Sequence, residues 1–210
     1  MNVVYVHGLD SDANSTKGLL LEEYCEKYYS NIKIYRPDLN QNPEQVFSCL
    51  TDLVAELNQD AKTVLIGSSL GGYFSTLVSN HTGCPALLLN PSTQPHITLK
   101  RFTKDFAIEN DIEEQNISNR IIHSTVGGWD ITHSDLQWFA AYQLSSVNYP
   151  NKVVALIKES DELLNPKLSK KFYKEQGAIV VMQKGGDHRF SDFAEQLPMI
   201  IERLQQLVSA

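Results

Sequence analysis

The sequence predicts a three-layer α/β protein built on a mostly parallel six-stranded sheet, and three observations carry that prediction. Six short apolar, β-branched runs recur along the 210 residues with helical stretches between them, the alternation expected of βαβ units. Most of these runs are apolar throughout, as strands covered on both faces are. One connection, from the run ending near Leu89 to the run starting near Lys152, holds roughly sixty residues where a parallel crossover needs only about a dozen.

In chain order, the first strand is expected over residues 2–6 (Asn2-Val3-Val4-Tyr5-Val6) and the first helix over 16–29. A second strand over 31–35 leads to a helix over 43–58, with Pro43 near its start, where a missing N–H costs nothing. Thr63-Val64-Leu65-Ile66 forms the third strand, followed by a helix over 70–80 and a fourth strand over 85–89. The surplus, 96–148, is polar and aromatic by turns, with a helix expected at 135–146 from the capping-box pattern Ser134-x-x-Gln137. Strands at 153–157 and 178–182 bracket a helix at 167–176 that follows Pro166, and a helix at 192–208 ends the chain. The expectation is one domain over 1–210, with 96–148 as a helical insertion. An insertion of that length at the edge of such a sheet reads either as a lid or cap over a site or as a crossover helix with decorated loops.

Composition excludes several classes. A chain with 42% hydrophobic residues is long enough to bury a core without disulfides. Its three cysteines, Cys25, Cys49 and Cys84, lack metal-ligand spacing and read as free thiols of a reducing compartment, so the expected location is cytoplasmic. Met1 runs directly into Val3-Val4-Tyr5-Val6 without a basic export region, and no apolar run approaches a membrane span. A formal net charge of -7 opposes the phosphate backbone, so no nucleic-acid partner is expected.

The chemistry concentrates in Gly67-Ser68-Ser69-Leu70-Gly71-Gly72. G-x-S-x-G arises by chance in roughly one chain in fifteen of this length, so alone it is equally a glycine-rich turn. Here a strand leads in and a helix leads out, the setting of a nucleophile elbow in which the strained serine, Ser69, is lifted clear of the sheet edge. An attacking serine needs a base, and His188 is the only histidine after the last strand, in Gly185-Gly186-Asp187-His188-Arg189-Phe190. The base needs a carboxylate on Nδ1, which should follow the penultimate strand; Asp161 is the candidate and Glu159 the runner-up. Asp187 reads as a loop-bracing residue, and Asp130 with His133 as polar groups of the insertion, since two ligands without a third make a poor metal site. The oxyanion would be held by the backbone N–H groups of Leu70, at a helix N-terminus, and Leu9, in the loop His7-Gly8-Leu9-Asp10, where His7 braces rather than reacts. Asp38 reads as a pocket-lining residue or as a turn and cap acid before Pro43.

The chain resembles the α/β-hydrolase superfamily over nearly its full length, and within it the small bacterial esterases of the YqiA/YcfP-like group. The residues that carry the closer resemblance are His7-Gly8-Leu9-Asp10-Ser11, Pro37-Asp38-Leu39, Gly67-Ser68-Ser69-Leu70-Gly71-Gly72-Tyr73, Leu89-Asn90-Pro91-Ser92 and the glycine-rich loop around His188. The resemblance implies six parallel strands in the order 2-1-3-4-5-6 and hydrolysis of an acyl ester or thioester without a cofactor or metal. A thioesterase or amidase would use the same constellation on another leaving group, and a non-catalytic binding protein of the same fold is the reading of another class. The expected partner is a small-molecule acyl ester or thioester, with no membrane partner; acyl length and oligomeric state are not specified by these motifs.

Overall fold

The fold is taken from a computed structural model that describes residues 1–117 and 120–209; positions 118 and 119 of the expected insertion, and residue 210, lie outside the described residues. The elements are β1 (Asn2–Val6), α1 (Thr16–Tyr28), β2 (Lys33–Tyr35), α2 (Pro43–Asp60), β3 (Thr63–Ser68), α3 (Leu70–Thr82), β4 (Ala86–Leu89), α4 (Pro95–Thr98), α5 (Lys100–Glu109), β5 (Ile121–Ser124), β6 (Asp130–Thr132), α6 (His133–Ala141), β7 (Val153–Lys158), α7 (Pro166–Glu175), β8 (Ile179–Gln183) and α8 (Phe193–Ser209). β2-β1-β3-β4-β7-β8 form one six-stranded sheet, parallel at every pairing. With β5 and β6 set apart, this is the order 2-1-3-4-5-6 that the family resemblance implies, and the fold is that of the α/β hydrolases.

Alternation along the central strands sends side chains to two separate cores, because successive residues of a strand face opposite sides. Val4, Val6, Leu65, Leu88, Ala155 and Ile157 face α2, α3 and α7. Val3, Tyr5, Val64, Ile66, Leu87, Leu89, Val154 and Leu156 face α1 and α8. Both sets must be apolar when helices cover both faces, which is why these runs read as continuous hydrophobic stretches.

The segment between β4 and β7 departs from expectation in detail. Besides helices it holds an antiparallel hairpin, β5 with β6, which the sequence reading did not anticipate. The helix expected at 135–146 spans His133–Ala141, and its box is made by Thr132 and Asp135, not Ser134 and Gln137: the Asp135 carboxylate accepts from the Thr132 N–H at 2.9 Å. A carboxylate at the third helical position answers the unpaired donors and the positive end of the dipole better than a neutral amide. Beyond the helix end the chain is tied to α3. Tyr73 Oη donates to the Tyr142 carbonyl at 2.6 Å, and Asn80 Nδ2 to that of Ser146 at 2.8 Å. Ile117, Ile122, Trp129, Ile131, Leu136 and Phe139 are buried in the same apolar cluster as α2 and α3, so this segment is packed into the core rather than perched on it.

Candidate active site

The parallel register brings the carboxyl ends of β1, β3, β4, β7 and β8 to one edge, where open α/β sheets bind ligands. Each residue of interest lies just beyond one of those ends. Ser69 follows β3 and starts α3 with φ 55° and ψ -116°, a conformation costly for any residue with a Cβ. Its surroundings hold it there. The Ser69 N–H donates to the Leu89 carbonyl at 2.9 Å, and its own carbonyl accepts from Gly72 and, at 3.0 Å, from Ser92. The turn also requires α3 to approach β1 closely: a Cβ at Gly71 would collide with the carbonyls of Val6 and His7, and one at Gly67 with Ser75 and Gly71. Those two glycines are sequence requirements of the packing, beyond the motif.

His188 Nε2 lies 3.0 Å from Ser69 Oγ, and His188 Nδ1 lies 2.8 and 3.0 Å from the two Asp161 oxygens. The Asp161 carboxylate also accepts from the Leu163 and Leu164 N–H groups at 2.9 and 2.8 Å, and its side chain is only 2% exposed. The carboxylate thus faces His188 Nδ1 while Nε2 faces the serine hydroxyl, the arrangement in which a proton on Nδ1 leaves Nε2 as the acceptor. Glu159, the alternative acid, is exposed. Glu162, which sequence reasoning passed over, accepts the His188 backbone N–H at 2.9 Å.

Leu9 and Leu70 line the same cavity of about 730 Å³ as Ser69 and His188. His7 orients the first of them. Its Nε2 accepts from the Leu39 N–H at 3.0 Å, so Nδ1 holds the proton and donates to the Gly8 carbonyl at 2.9 Å. Burial lowers the His7 pKa, which keeps that ring neutral. In a trans peptide the N–H points opposite to the C=O, so fixing the Gly8 carbonyl on His7 turns the Leu9 N–H the other way. Asp38 is a turn acid: it accepts from Asn40 N and Nδ2 at 3.1 and 2.7 Å, while Asn42 caps α2. Asp187 accepts from the Ser191 N–H at 3.1 Å, bracing its loop. Asp130 accepts from Ser124 Oγ at 2.6 Å, and among the described residues no group of three or more His, Cys, Asp or Glu side chains could hold a metal ion.

The residue that ties the site together was not singled out from sequence. Asn90, 2% exposed and with φ 42°, follows β4. Its Nδ2 donates to the carbonyls of Asp187 and His188 at 3.0 and 3.2 Å, while Oδ1 accepts the Lys158 N–H at 2.8 Å. One buried amide thus joins the ends of β4 and β7 to the histidine loop. Below that loop, Lys158 Nζ pairs with Asp192 at 2.5 Å and lies 4.4 Å from the Phe190 ring centroid. Burial works against the Asp192 carboxylate, but Lys158 and Gln196 outweigh it and hold its pKa below the ordinary value. The only signal for Asn90 in the sequence was its place in Leu89-Asn90-Pro91-Ser92.

A model of the uncharacterised protein family UPF0227 matches residues 2–205. The chain belongs to that family. This UPF0227 chain is also similar in structure to Est1E from Butyrivibrio proteoclasticus (TM-score 0.73, 12% identity, covering 100% of this chain and 88% of that one). It is similar to the mouse alpha/beta hydrolase domain-containing protein 10 (TM-score 0.66, 17% identity, 98% and 90% covered). A thermophilic esterase from Thermogutta terrifontis gives a TM-score of 0.65 at 16% identity, with 99% and 90% covered. At such identities the likeness is one of fold. None of the described helices in the UPF0227 chain is long and apolar enough to cross a membrane.

Proposed function

We propose that the protein is a serine esterase cleaving small-molecule carboxylic esters. The observation that carries the reading is the unbroken chain from Ser69 Oγ through His188 Nε2 and Nδ1 to Asp161, on a serine with φ 55°. Ser69 Oγ attacks the ester carbonyl as its proton passes to His188 Nε2, and the oxyanion is held by the N–H groups of Leu9 and Leu70. Collapse returns that proton to the departing alkoxide and leaves an acyl-serine. Water, deprotonated by the same Nε2, then attacks the acyl carbon, and the proton goes back to Ser69 as the carboxylic acid leaves. Asp161 stays ionised and stabilises the imidazolium. Burial pushes the Cys25 thiol up to about 11 and Cys84 up to about 12, so neither offers a competing thiolate nucleophile. These free thiols also suit a reducing cytoplasm.

A fluorophosphonate probe followed by mass mapping tests the reading. The expected adduct is on Ser69 and is lost in Ser69→Ala; labelling at Ser68, or none on folded protein, would sink it.

Asn90 acts in this reading as a positioning residue. Asn90→Ala is expected to lower kcat about 10²-fold, the cost of roughly an ångström of misplacement. It also leaves the Lys158 N–H unpaired, worth about 1–3 kcal/mol of stability. The pH profile separates the two effects, since only a displaced His188 moves the acidic limb of kcat/KM; an unmoved limb with full kcat would remove Asn90 from the site.

The segment 96–148 is read as a cap that shapes the pocket, since Thr98, Leu99 and Arg101 line the cavity. Leu99→Ala should raise the preference for octanoyl over acetyl p-nitrophenyl esters about tenfold, the scale of a few methylenes in an apolar pocket. An equal response of both esters would count against that role.

A further inference from the structure

The cavity beside Ser69 is not electrically neutral. Lys17 from the first turn of α1, Arg101 from that of α5 and Arg189 from the loop after β8 all line it, against one carboxylate, Asp10. Asp10 is already engaged: its Oδ1 lies 3.6 Å from His123 Nε2 and 3.4 Å from the Val126 N–H. Among the described residues, no carboxylate comes within 4.0 Å of the three cations. Lys17 Nζ donates to the Arg189 carbonyl at 2.7 Å, which satisfies one of its three donors. Burial lowers the Lys17 pKa, with Asp187 opposing that effect and Arg189 adding to it, as for a charge whose compensation is incomplete. Arg101 is exposed, its guanidinium 4.9 Å from the Phe102 ring centroid.

The backbone adds to the same field. Ser15, Thr16 and Lys17, at the start of the 13-residue α1, line the cavity. The first turn of α1 carries no acid, and Ser15 makes no side-chain cap. Helix-start N–H groups without a cap, next to cations without carboxylates, favour an anion.

We propose that this cavity binds a compact anion, a carboxylate or phosphate carried by the ester substrate, through Lys17, Arg101 and the N-terminus of α1 while the ester carbonyl lies at Ser69. The proposal rests on the serine-esterase reading and deepens it by naming the substrate class. In a protein with formal net charge -7, a local cationic pocket also offsets the repulsion an anionic substrate meets on approach.

Binding is read first without turnover, by calorimetric titration of succinate and of inorganic phosphate into Ser69→Ala at low ionic strength. Saturable binding of either anion is expected, weakened about tenfold by a second substitution, Arg101→Gln, the loss of roughly one charge-assisted hydrogen bond. Turnover by the wild type is then compared for neutral p-nitrophenyl acetate, mono-p-nitrophenyl succinate, with the anion on the acyl side, and 4-acetoxyphenyl phosphate, with it on the leaving group. The ratio of kcat/KM, anionic over neutral, should exceed about ten for one anionic ester and fall toward one in Arg101→Gln and at high salt. The ester that shows it identifies which side of the substrate bears the charge. Lys17→Gln should lower the ratio too; because it also removes the bond to Arg189, Arg101→Gln is the deciding variant. No saturable anion binding, or a ratio that Arg101→Gln leaves unmoved, would overturn the proposal. Hydrolysis that survives Ser69→Ala would instead overturn the esterase reading, while the titrations would still decide the anion site.

Discussion

Ser69→Ala is expected to lower kcat for ester hydrolysis by about 10⁶, the scale on which removal of the nucleophile acts in comparable triads. The loss is this large because no other nucleophile shares the position: the hydroxyl is the atom that His188 Nε2 faces at 3.0 Å. The loss is not total. The oxyanion donors and the cavity persist and still favour attack by water over the uncatalysed reaction. The same position carries a second, independent readout. A residue at φ 55° and ψ -116° is strained when it has a Cβ, and alanine keeps the Cβ. Ser69→Gly should therefore be more stable than Ser69→Ala by about 1 kcal/mol, although both are inactive, because glycine enters that region without the steric cost. Steady-state kinetics and denaturant titration of the two variants check both halves. Activity within an order of magnitude of wild type in Ser69→Ala would show that another residue attacks, and equal stabilities would show that the elbow stores no strain.

Asp161→Asn should keep the fold and lower kcat by about 10⁴. The geometry determines which way the new amide turns. Asp161 Oδ1 accepts from Leu163 and Leu164, and an asparagine oxygen can go on accepting there. The amide NH₂ then faces His188 Nδ1 as a donor. Nδ1 must accept, the ring proton moves to Nε2, and Nε2 meets Ser69 Oγ with a hydrogen where it needs a lone pair. The imidazolium also loses its counter-charge, so tautomer and electrostatics fail together. Glu159→Gln, on an exposed side chain, is expected to change turnover by less than about fivefold. Glu162→Gln should be similarly mild, because the amide oxygen can still accept from the His188 N–H. Steady-state kinetics with circular dichroism on the three variants separates the cases. A severe loss in Glu159→Gln beside near-normal turnover in Asp161→Asn would reassign the acid.

The parts of the fold legible in the sequence are those where a local pattern and the tertiary demand coincide. Strands β1, β3, β4 and β7 are buried on both faces, so the run of each is predominantly apolar, and the expected ends fall within two residues of the observed ones. The elbow was legible because close approach of α3 to β1 admits only glycine at 71, and that requirement is written as a residue type. Chain order did the rest, since residues after the carboxyl ends of parallel strands must converge on one edge.

The segment between β4 and β7 was less legible because its elements are short and it is anchored by partners far away in sequence. Past Ala141 the chain is tied to α3 by Tyr73 and Asn80, and nothing local to residues 142–146 records that. Lys158, a charged residue at the end of β7, is buried where Asp192, thirty-four positions later, pairs with it.

By itself, then, the sequence determined the layered sheet and the set of residues that gather at its carboxyl edge, because burial on two faces and backbone clearance each restrict residue type at fixed spacing. Only the tertiary structure decided which acid meets His188, what holds the histidine loop, and that three cations share the cavity beside Ser69. Those depend on side-chain direction at the end of β7, on one amide reaching across two strand ends, and on loops from distant parts of the chain meeting in space, none of which has a period or a spacing to read.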